Sequence, residues 1–323
     1  MAKKKQSFAQ NKPLGHLIAL LFYVGIGFFF YLAAANMNYV WKWNSVPKYF
    51  VYDETITIES PADGKLISKD GKYYVKTENE DIAIDDLDSS FVFDYKINED
   101  VYEGDYIAKK TVTKDGPILN GLKTTLKISA LAALITFTIG IIIALMKLSS
   151  YVFMRDIATV YITIIRGTPL LVQIFLFYFI VANIFDLERF VAGVLSLGIF
   201  FGAYMAEILR GAIQSIDKGQ LEAAKSLGIS NFQAMRYIIL PQAVKRALPT
   251  IIGEMIALVK DSSLVSVISI TDLTKVGKEI VANTFSPFET WIVIALLYLT
   301  ITSTLSYIGH IIEKRMAAKG GLS

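Results

Sequence analysis

The sequence has no cysteine, which excludes disulfide frameworks, thiolate metal sites and cysteine nucleophiles. Its two histidines, His16 and His310, each lie within or at the end of an apolar run, so neither a histidine metal site nor a histidine proton relay is expected. Charge is scarce as well: 19% of the 323 residues are charged against 54% hydrophobic, too little charge for a soluble chain of this size. The phosphate-loop pattern Gly-x-x-x-x-Gly-Lys-Ser/Thr does not occur, so the chain carries no ATP site of that kind. No paired-histidine motif, nucleophile elbow or carboxylate dyad in a soluble segment occurs either, and an enzyme is not expected. The basic residues cluster at the ends of apolar runs, where membrane topology accounts for them, and no nucleic-acid surface is expected.

What is abundant is long apolar sequence. No charged residue lies between Lys12 and Lys42. About 20 apolar residues suffice to cross a bilayer core of roughly 30 Å, so a first spanning helix is predicted over residues 17–35. A removable signal peptide ending at Ala33-Ala34-Ala35 is the alternative. Further spans are predicted over 128–146, 167–185, 190–206, 248–270 and 290–312, six in all. Lys3, Lys4, Lys5 and Lys12 place the N-terminus in the cytoplasm by the positive-inside rule. Lys147, Arg155, Lys218, Lys225, Arg236, Lys245, Arg246, Lys314, Arg315 and Lys319 then fall on the same side, together with the C-terminus. Residues 36–117 are therefore expected outside. Lys275 and Lys278, in the outer loop 271–289, run against the rule.

Between the first two spans the composition changes. Residues 46–117 are rich in Val, Ile, Tyr, Phe and Thr, with turn pairs at Asp63-Gly64, Asp70-Gly71 and Glu103-Gly104, the pattern of a small β domain. The phrases SPADGKLI (60–67) and VYEGDYIAKK (101–110) are weakly similar to the two halves of a biotinyl or lipoyl type barrel-sandwich domain. The lysine flanked by methionines that carries the cofactor in those domains is missing, so a structural sandwich is expected. The chain divides into 1–45, 46–117 and 118–323.

The polar run 217–249 separates two spans. Asp217 and Gln220 have capping-box spacing, and Gly228 sits where a helix C-terminal glycine belongs, so a short helix is predicted over 218–227. Ser230 and Gln233 repeat the spacing, and an apolar face follows through Met235, Ile238, Ile239 and Leu240 to Pro241, which is expected to close the second helix. Such a loop is suited to docking.

Glu254, Lys260 and Asp261 lie within the predicted fifth span, Lys260 and Asp261 about midway along it. A charge there costs at least about 2.5 to 3.5 kcal/mol unless it pairs or meets water. Asp261-Ser262-Ser263 could break the helix, since short polar side chains compete for backbone hydrogen bonds; pairing with a neighbouring helix is the alternative. The apolar stretch 157–185 would be roughly 43 Å long as one helix, so Gly167 and Pro169 are expected to break it, with a spanning helix beginning near Thr168. Arg166 would then snorkel at the inner interface or pair with Glu207. Gln173 and Tyr178 line a pathway or serve as polar glue between helices.

Four phrases carry a family resemblance: IRGTPLLVQ (165–173), AYMAEILRG (203–211), KGQLEAA (218–224) with Gly228 and Ile239-Leu240-Pro241, and KDSSL (260–264). Together they resemble the polar amino acid uptake permeases of ATP-binding-cassette (ABC) importers over the region from about residue 120 onward. Gly253 departs from that pattern, which has a polar residue, often asparagine, before Glu254. The resemblance implies an all-α integral membrane bundle, a type I importer core of five helices plus one extra N-terminal helix, with the small extracytoplasmic β domain inserted. It implies a bacterial inner membrane location in contact with lipid, and a coupling loop over 213–248 in which Lys218, Gly219, Glu222, Ala223, Ala224 and Gly228 meet a separate ATPase. It also implies an extracytoplasmic amino-acid-binding protein and a homodimer or heterodimer of permeases working by alternating access. The cofactors ATP and Mg would belong to the ATPase, with none on this chain. Candidate pathway residues are Thr168, Gln173, Glu207, Glu254, Lys260, Asp261, Ser262 and Ser263. One acid near one base suits a zwitterion, whereas Glu207 and Glu254 suit a cationic side chain. A membrane-anchored adaptor or carrier whose β insert is the working part is the alternative; it would need only one or two spans.

Overall fold

The computed structural model describes residues 12–35, 37, 39–69, 72–84, 87 and 90–318. Lys3, Lys4, Lys5, Lys319, the Lys12 side chain and the Asp70-Gly71 pair lie outside the described residues. The chain falls into two units, Met1–Trp43 and Asn44–Ser323. The first contains α1 (Lys12–Ala35), apolar around its whole circumference. Beyond it Trp41 sits between Tyr39 and Trp43, with ring centroids 5.3 and 5.9 Å away. Rings with an apolar body and a polar edge suit the boundary of a bilayer.

The second unit opens with α2 (Val46–Phe50), which runs directly into β1 (Val51–Glu59). Then come β2 (Gly64–Lys69), β3 (Lys72–Lys76), β4 (Asp81–Ala83), β5 (Val92–Phe93), β6 (Asp100–Val101) and β7 (Tyr106–Asp115). They form two antiparallel sheets, in the orders β1-β7-β5 and β4-β3-β2-β6, and the expected β insert is present. Its core is Leu66, Val75, Ile84, Val101 and Ile107. The two sandwich-like phrases meet in it, the Ser60 N–H donating to the Asp105 carbonyl (2.8 Å) and the Gly104 N–H to the Ser60 carbonyl (3.0 Å). β1 and β7 pair along their whole lengths from Val51↔Asp115, so both connections of the insert leave side by side. The Gly116 N–H donates to the Phe50 carbonyl (2.6 Å), and Tyr49 and Phe50 pack on an apolar cluster that includes Ile118, Val276 and Ile294.

The helical body comprises α3 (Pro117–Leu148), α4 (Val152–Arg166), α5 (Leu170–Leu176), a π turn Phe177–Ala182, α6 (Asn183–Phe185) and α7 (Arg189–Gln214). After it come α8 (Lys218–Ser226), α9 (Asn231–Ala234), a second π turn Met235–Ile239 and α10 (Leu240–Asp261). A 3-10 segment Ser262–Ile268, α11 (Leu273–Thr284) and α12 (Pro287–Ala318) complete it. Among the described residues four helices are long and apolar enough to cross a membrane, and the bent pair Val152–Arg166 and Leu170–Phe185 makes a fifth if counted as one span. Six were expected. The difference is α10, whose 22 residues suffice in length, about 33 Å, but carry Lys245, Arg246, Glu254, Lys260 and Asp261.

Two other expectations are corrected. Pro241 does not close a helix: the preceding turn widens, the Leu240 N–H reaching back to the Met235 carbonyl, and Pro241 lands in the first turn of α10, where a missing N–H is tolerated. Lys260 and Asp261 are not midway along a span but end α10. The connection 271–289 contains α11, capped by Asp272, whose carboxylate is fully buried and accepts from the Thr274 and Lys275 N–H groups, each at 3.0 Å.

α7 is the central helix, and it lies against α3 through small residues. A Cβ on Gly198 would fall 2.5 Å from the Ile135 side chain, and one on Gly202 2.8 Å from Ile139. Lipid is as apolar as leucine, so helices associate in it through such close packing. The Tyr161 hydroxyl ties α4 to the same helix by donating to the Ile199 carbonyl at 2.5 Å. Gly198→Val should therefore force the helices apart at a cost of about 1 to 3 kcal/mol. Thermal unfolding in detergent, followed by tryptophan fluorescence, should show a melting temperature several degrees lower; an unchanged one contradicts the packing described here.

Candidate functional site

The polar run 217–249 folds into a hairpin of short helices at one end of the bundle. Asp217 caps α8 by accepting from the Gly219 N–H (2.6 Å), one position earlier than capping-box spacing would give. At the other end of α8, the Gly228 N–H donates to the Lys225 carbonyl (2.9 Å) and the Ile229 N–H to the Ala224 carbonyl (3.0 Å), with Gly228 at φ 76°. This is the Schellman closure, which needs a residue at ease in the left-handed region. Ser230 and Gln233 form the expected reciprocal capping box. Ala224 is buried beneath the hairpin, while Lys218, Gly219, Glu222, Ala223 and Gly228 are exposed. Beside them stand Leu227, Phe232 and Tyr237, exposed at 79%, 73% and 69%. The sequence reading missed these three as a group; the signal was present as apolar residues interrupting a polar run.

The hairpin is fastened to the bundle. Ile216, Ile239 and Ala243 form a buried cluster under it. The Arg246 guanidinium, on the second turn of α10, donates to the Ser215 carbonyl and to the Ser215 hydroxyl at 3.3 Å. The end of α7, just before the Asp217 cap of α8, is thus joined to the start of α10, and α10 runs from there to Lys260.

A second assembly gathers charge at the elbow between α4 and α5, which bend by 106° at Gly167-Thr168-Pro169. Two carbonyls freed by the break are taken by one amide: Gln173 Nε2 donates to Ile165 O (2.7 Å), within reach of the Thr168 carbonyl (3.3 Å) and hydroxyl (2.6 Å). Gln173 is buried, so it serves the backbone of the elbow. Arg166, just before the bend, stacks over the Tyr204 ring (5.0 Å) and has Nη1 3.9 Å from Glu207 Oε2. The same carboxylate holds Arg210 with a two-pronged contact of 3.1 and 2.7 Å. Glu254 is half-buried on α10 and within electrostatic reach of both Arg166 and Asp261.

The remaining sequence candidates separate at the end of α10. Ser262 is fully buried and structural: it accepts from the Ser129 hydroxyl (3.2 Å) and donates to the Val259 carbonyl (2.7 Å), joining α10 to α3. Lys260 and Ser263 turn toward α11 and α12 and line a cavity with Thr274, Trp291 and Tyr298.

The family profile described as "Binding-protein-dependent transport system inner membrane component" matches residues 136–318. The glutamine transport system permease protein GlnP of Escherichia coli (strain K12) is 40% identical over 202 residues, covering 62% of this chain and 92% of that protein. The arginine transport system permease protein ArtQ of Bacillus subtilis (strain 168) is 37% identical over 201 residues, with the same coverage of 62% and 92%. Among solved structures, a crystal structure of an amino acid ABC transporter with histidines is similar at 44% identity with a TM-score of 0.58, covering 62% of this chain and 94% of that one. The profile match contains the elbow, the α8–α9 hairpin and all of α10; α1 and the β insert lie before it.

Gln173→Leu should leave the Ile165 and Thr168 carbonyls at the elbow without their shared donor, a loss of about 1 kcal/mol. Faster hydrogen exchange across residues 165–170 and a lower melting temperature are the expected readouts; wild-type protection there would show that Gln173 does not hold the bend.

Proposed function

The chain belongs to the family of binding-protein-dependent transport system inner membrane components, and on that premise we propose that it is the membrane-spanning subunit of an ATP-driven amino acid importer that couples to a separate ATPase through the α8–α9 hairpin. The names of its relatives, glutamine and arginine permeases, support an amino acid as cargo. One observation supports the coupling role above all: an exposed tip of Glu222, Ala223, Leu227 and Phe232 on a hairpin whose approach from α7 is tied to α10 by Arg246. Apolar residues stranded on a polar tip suit a protein partner.

In this proposal the hairpin, both termini and the basic residues beside them face the cytoplasm, and the β insert stands outside. α10 completes a core of five spans, sheltered from lipid by the second permease of a homodimer or heterodimer, with α1 as a sixth. ATP and Mg bind the ATPase subunits. Their closure pushes on α8, and α10 carries the displacement past Glu254 to Lys260, so that the pathway opens to one side at a time. An extracytoplasmic binding protein delivers the amino acid.

Glu222→Lys reverses a charge on the docking tip, and Gly228→Asp puts a side chain at a left-handed position, where it costs about 1 to 2 kcal/mol. In proteoliposomes with the ATPase and the loaded binding protein, both should abolish uptake and substrate-stimulated hydrolysis while the protein inserts normally. Normal uptake with either variant would remove the docking role. Arg246→Gln should keep basal hydrolysis but blunt its response to loaded binding protein; an undiminished response rejects Arg246 as the link.

A further inference from the structure

We propose that the free edge of β1 takes an extended, basic segment of the extracytoplasmic binding protein as an added strand; this rests on the transport function and the outward placement of the insert proposed above. β1 is 9 residues long and pairs with β7 alone. The other outermost strands of the two sheets are short: β4 has 3 residues, and β5 and β6 have 2 each. Folded proteins blunt their sheet edges with short strands, lysine or proline. β1, with the sequence VYDETITIE, has none of these devices.

The register shows which backbone groups are left over. The Gly116 N–H donates to the Phe50 carbonyl directly opposite, so the hydrogen-bonded pairs continue at Tyr52, Glu54 and Ile56. The N–H and C=O groups of Asp53, Thr55 and Thr57 therefore point away from β7, and all three residues are exposed. Over residues 51–56 the ribbon has only two strands, because β5 reaches β7 no further than Lys109 and Ala108. Val51, Tyr52 and Ile56 stand on this stretch, exposed at 49%, 39% and 39%. Two strands without a core behind them are marginal, and a third would cover these side chains.

Charge and geometry select the occupant. β1 carries Asp53, Glu54 and Glu59 and no cation. Glu54 is paired with Lys114, whereas none of the described ion pairs involves Asp53 or Glu59. The lysines of β7 nearest the sandwich are engaged as well, Lys109 with Asp94 at 2.6 Å and Lys110 over the Phe91 ring. A strand with lysine or arginine opposite the acids, and apolar residues beside Tyr52 and Ile56, meets complementary neighbours throughout. At the foot of the edge, a cavity of about 490 Å³ lined by Lys48, Val51, Tyr52, Asp53 and Thr113 has room for one of its side chains. A second permease does not fit. β1 starts at the foot of the insert and runs away from the helices, so two copies in one bilayer carry it in the same sense. Their symmetry would set Asp53 and Glu54 of one against those of the other, and like charges directly opposite repel. The family is binding-protein-dependent, and that protein has to come to this face of the membrane. Once seated on β1 it is anchored, through Tyr49 and Phe50, to the packed layer of α3, α11 and α12.

The test uses the full permease–ATPase complex in phosphatidylcholine nanodiscs, with the loaded binding protein and a synthetic peptide of alternating lysine and valine as probes. Thr55→Pro removes an outward N–H and puts a ring on the edge, while the bonds to β7 are untouched. It should weaken the affinity for the binding protein about tenfold or more and leave basal hydrolysis and the melting temperature unchanged. Thr55→Val, which keeps the N–H, should bind like the wild type. The peptide should compete with the binding protein, and the same peptide with glutamate for lysine should not. Asp53→Lys should weaken both ligands, and it decides the matter if Thr55→Pro fails to fold. Benzoylphenylalanine in place of Thr57 should cross-link to one segment of the binding protein. Unchanged affinity in Asp53→Lys and in folded Thr55→Pro overturns the proposal. So does cross-linking from position 57 to a second permease, or a loss in Thr55→Val equal to that in Thr55→Pro. Glu222→Lys separates the two levels: if it uncouples hydrolysis while the β1 variants bind normally, this edge falls and the transport function stands. If the binding protein neither binds nor stimulates the wild-type complex, both fall.

Discussion

The close approach of α7 to α3 is the contact on which the rest depends. In hydrocarbon no helix gains by hiding leucine from its surroundings, so association has to come from packing and from polar groups that find partners. Gly198 and Gly202 let the Ile135 and Ile139 side chains sit directly on the α7 backbone, and Tyr161 adds α4 by bonding to Ile199 at the same level. α7 then carries Tyr204, Glu207 and Arg210 on the turns that follow, so the place where Arg166 finds its partner is set by glycines one and two turns earlier. The elbow charge cluster and the α8–α9 hairpin both follow from this one helix.

Changes of helix pitch position the functional groups. Pro241 can stay in a helical path because a π turn precedes it, and that turn sets the direction in which α10 leaves the hairpin. Twenty residues later the helix tightens at Ser262, whose hydroxyl is satisfied by Ser129 and Val259, and the chain turns at Ser269 in the left-handed region. Between these points α10 is continuous from Leu240 to Asp261, with Arg246 near one end and Lys260 at the other. A continuous helix transmits displacement along its axis, whereas a helix broken midway would absorb it. Placing Lys260 at the end of α10 therefore strengthens the mechanical link.

Features governed by local chemistry were legible in the sequence. Ser230 with Gln233, Gly228 after α8, and Gly167 with Pro169 all act within a few residues, and all appear at the expected places. The β insert was legible from its composition and turn pairs. Features set by distant partners were not. Nothing local shows that Asp272 is a buried cap, since its burial depends on α3 and α12 closing over it through Thr125 and Tyr298. Gln173 and Ser262 sit in apolar spans like pathway residues, and only the positions of the Ile165, Thr168 and Val259 carbonyls give them backbone duties. Leu227, Phe232 and Tyr237 are scattered along the polar run, and only the fold shows that all three are left exposed. α10, expected as a span over residues 248–270, has membrane length, but Lys245, Arg246, Glu254, Lys260 and Asp261 keep it out of the helices apolar enough to cross.

The insert is attached more firmly than a linker would attach it. Two paired strands leave it together, and the Gly116–Phe50 hydrogen bond locks α2 against the start of α3. Tyr49 and Phe50 then sit on the cluster containing Ile118, Val276 and Ile294. Ile294 also lines the cavity at Lys260. The foot of the insert and the wall of that cavity are consequently one packed layer, and dense interiors pass on small displacements because they have little free volume to take them up. A flexible tether would need exposed glycine or serine and no shared side chains, and residues 46–51 and 115–118 have neither feature. The insert is therefore built as a rigid extension of α3, α11 and α12.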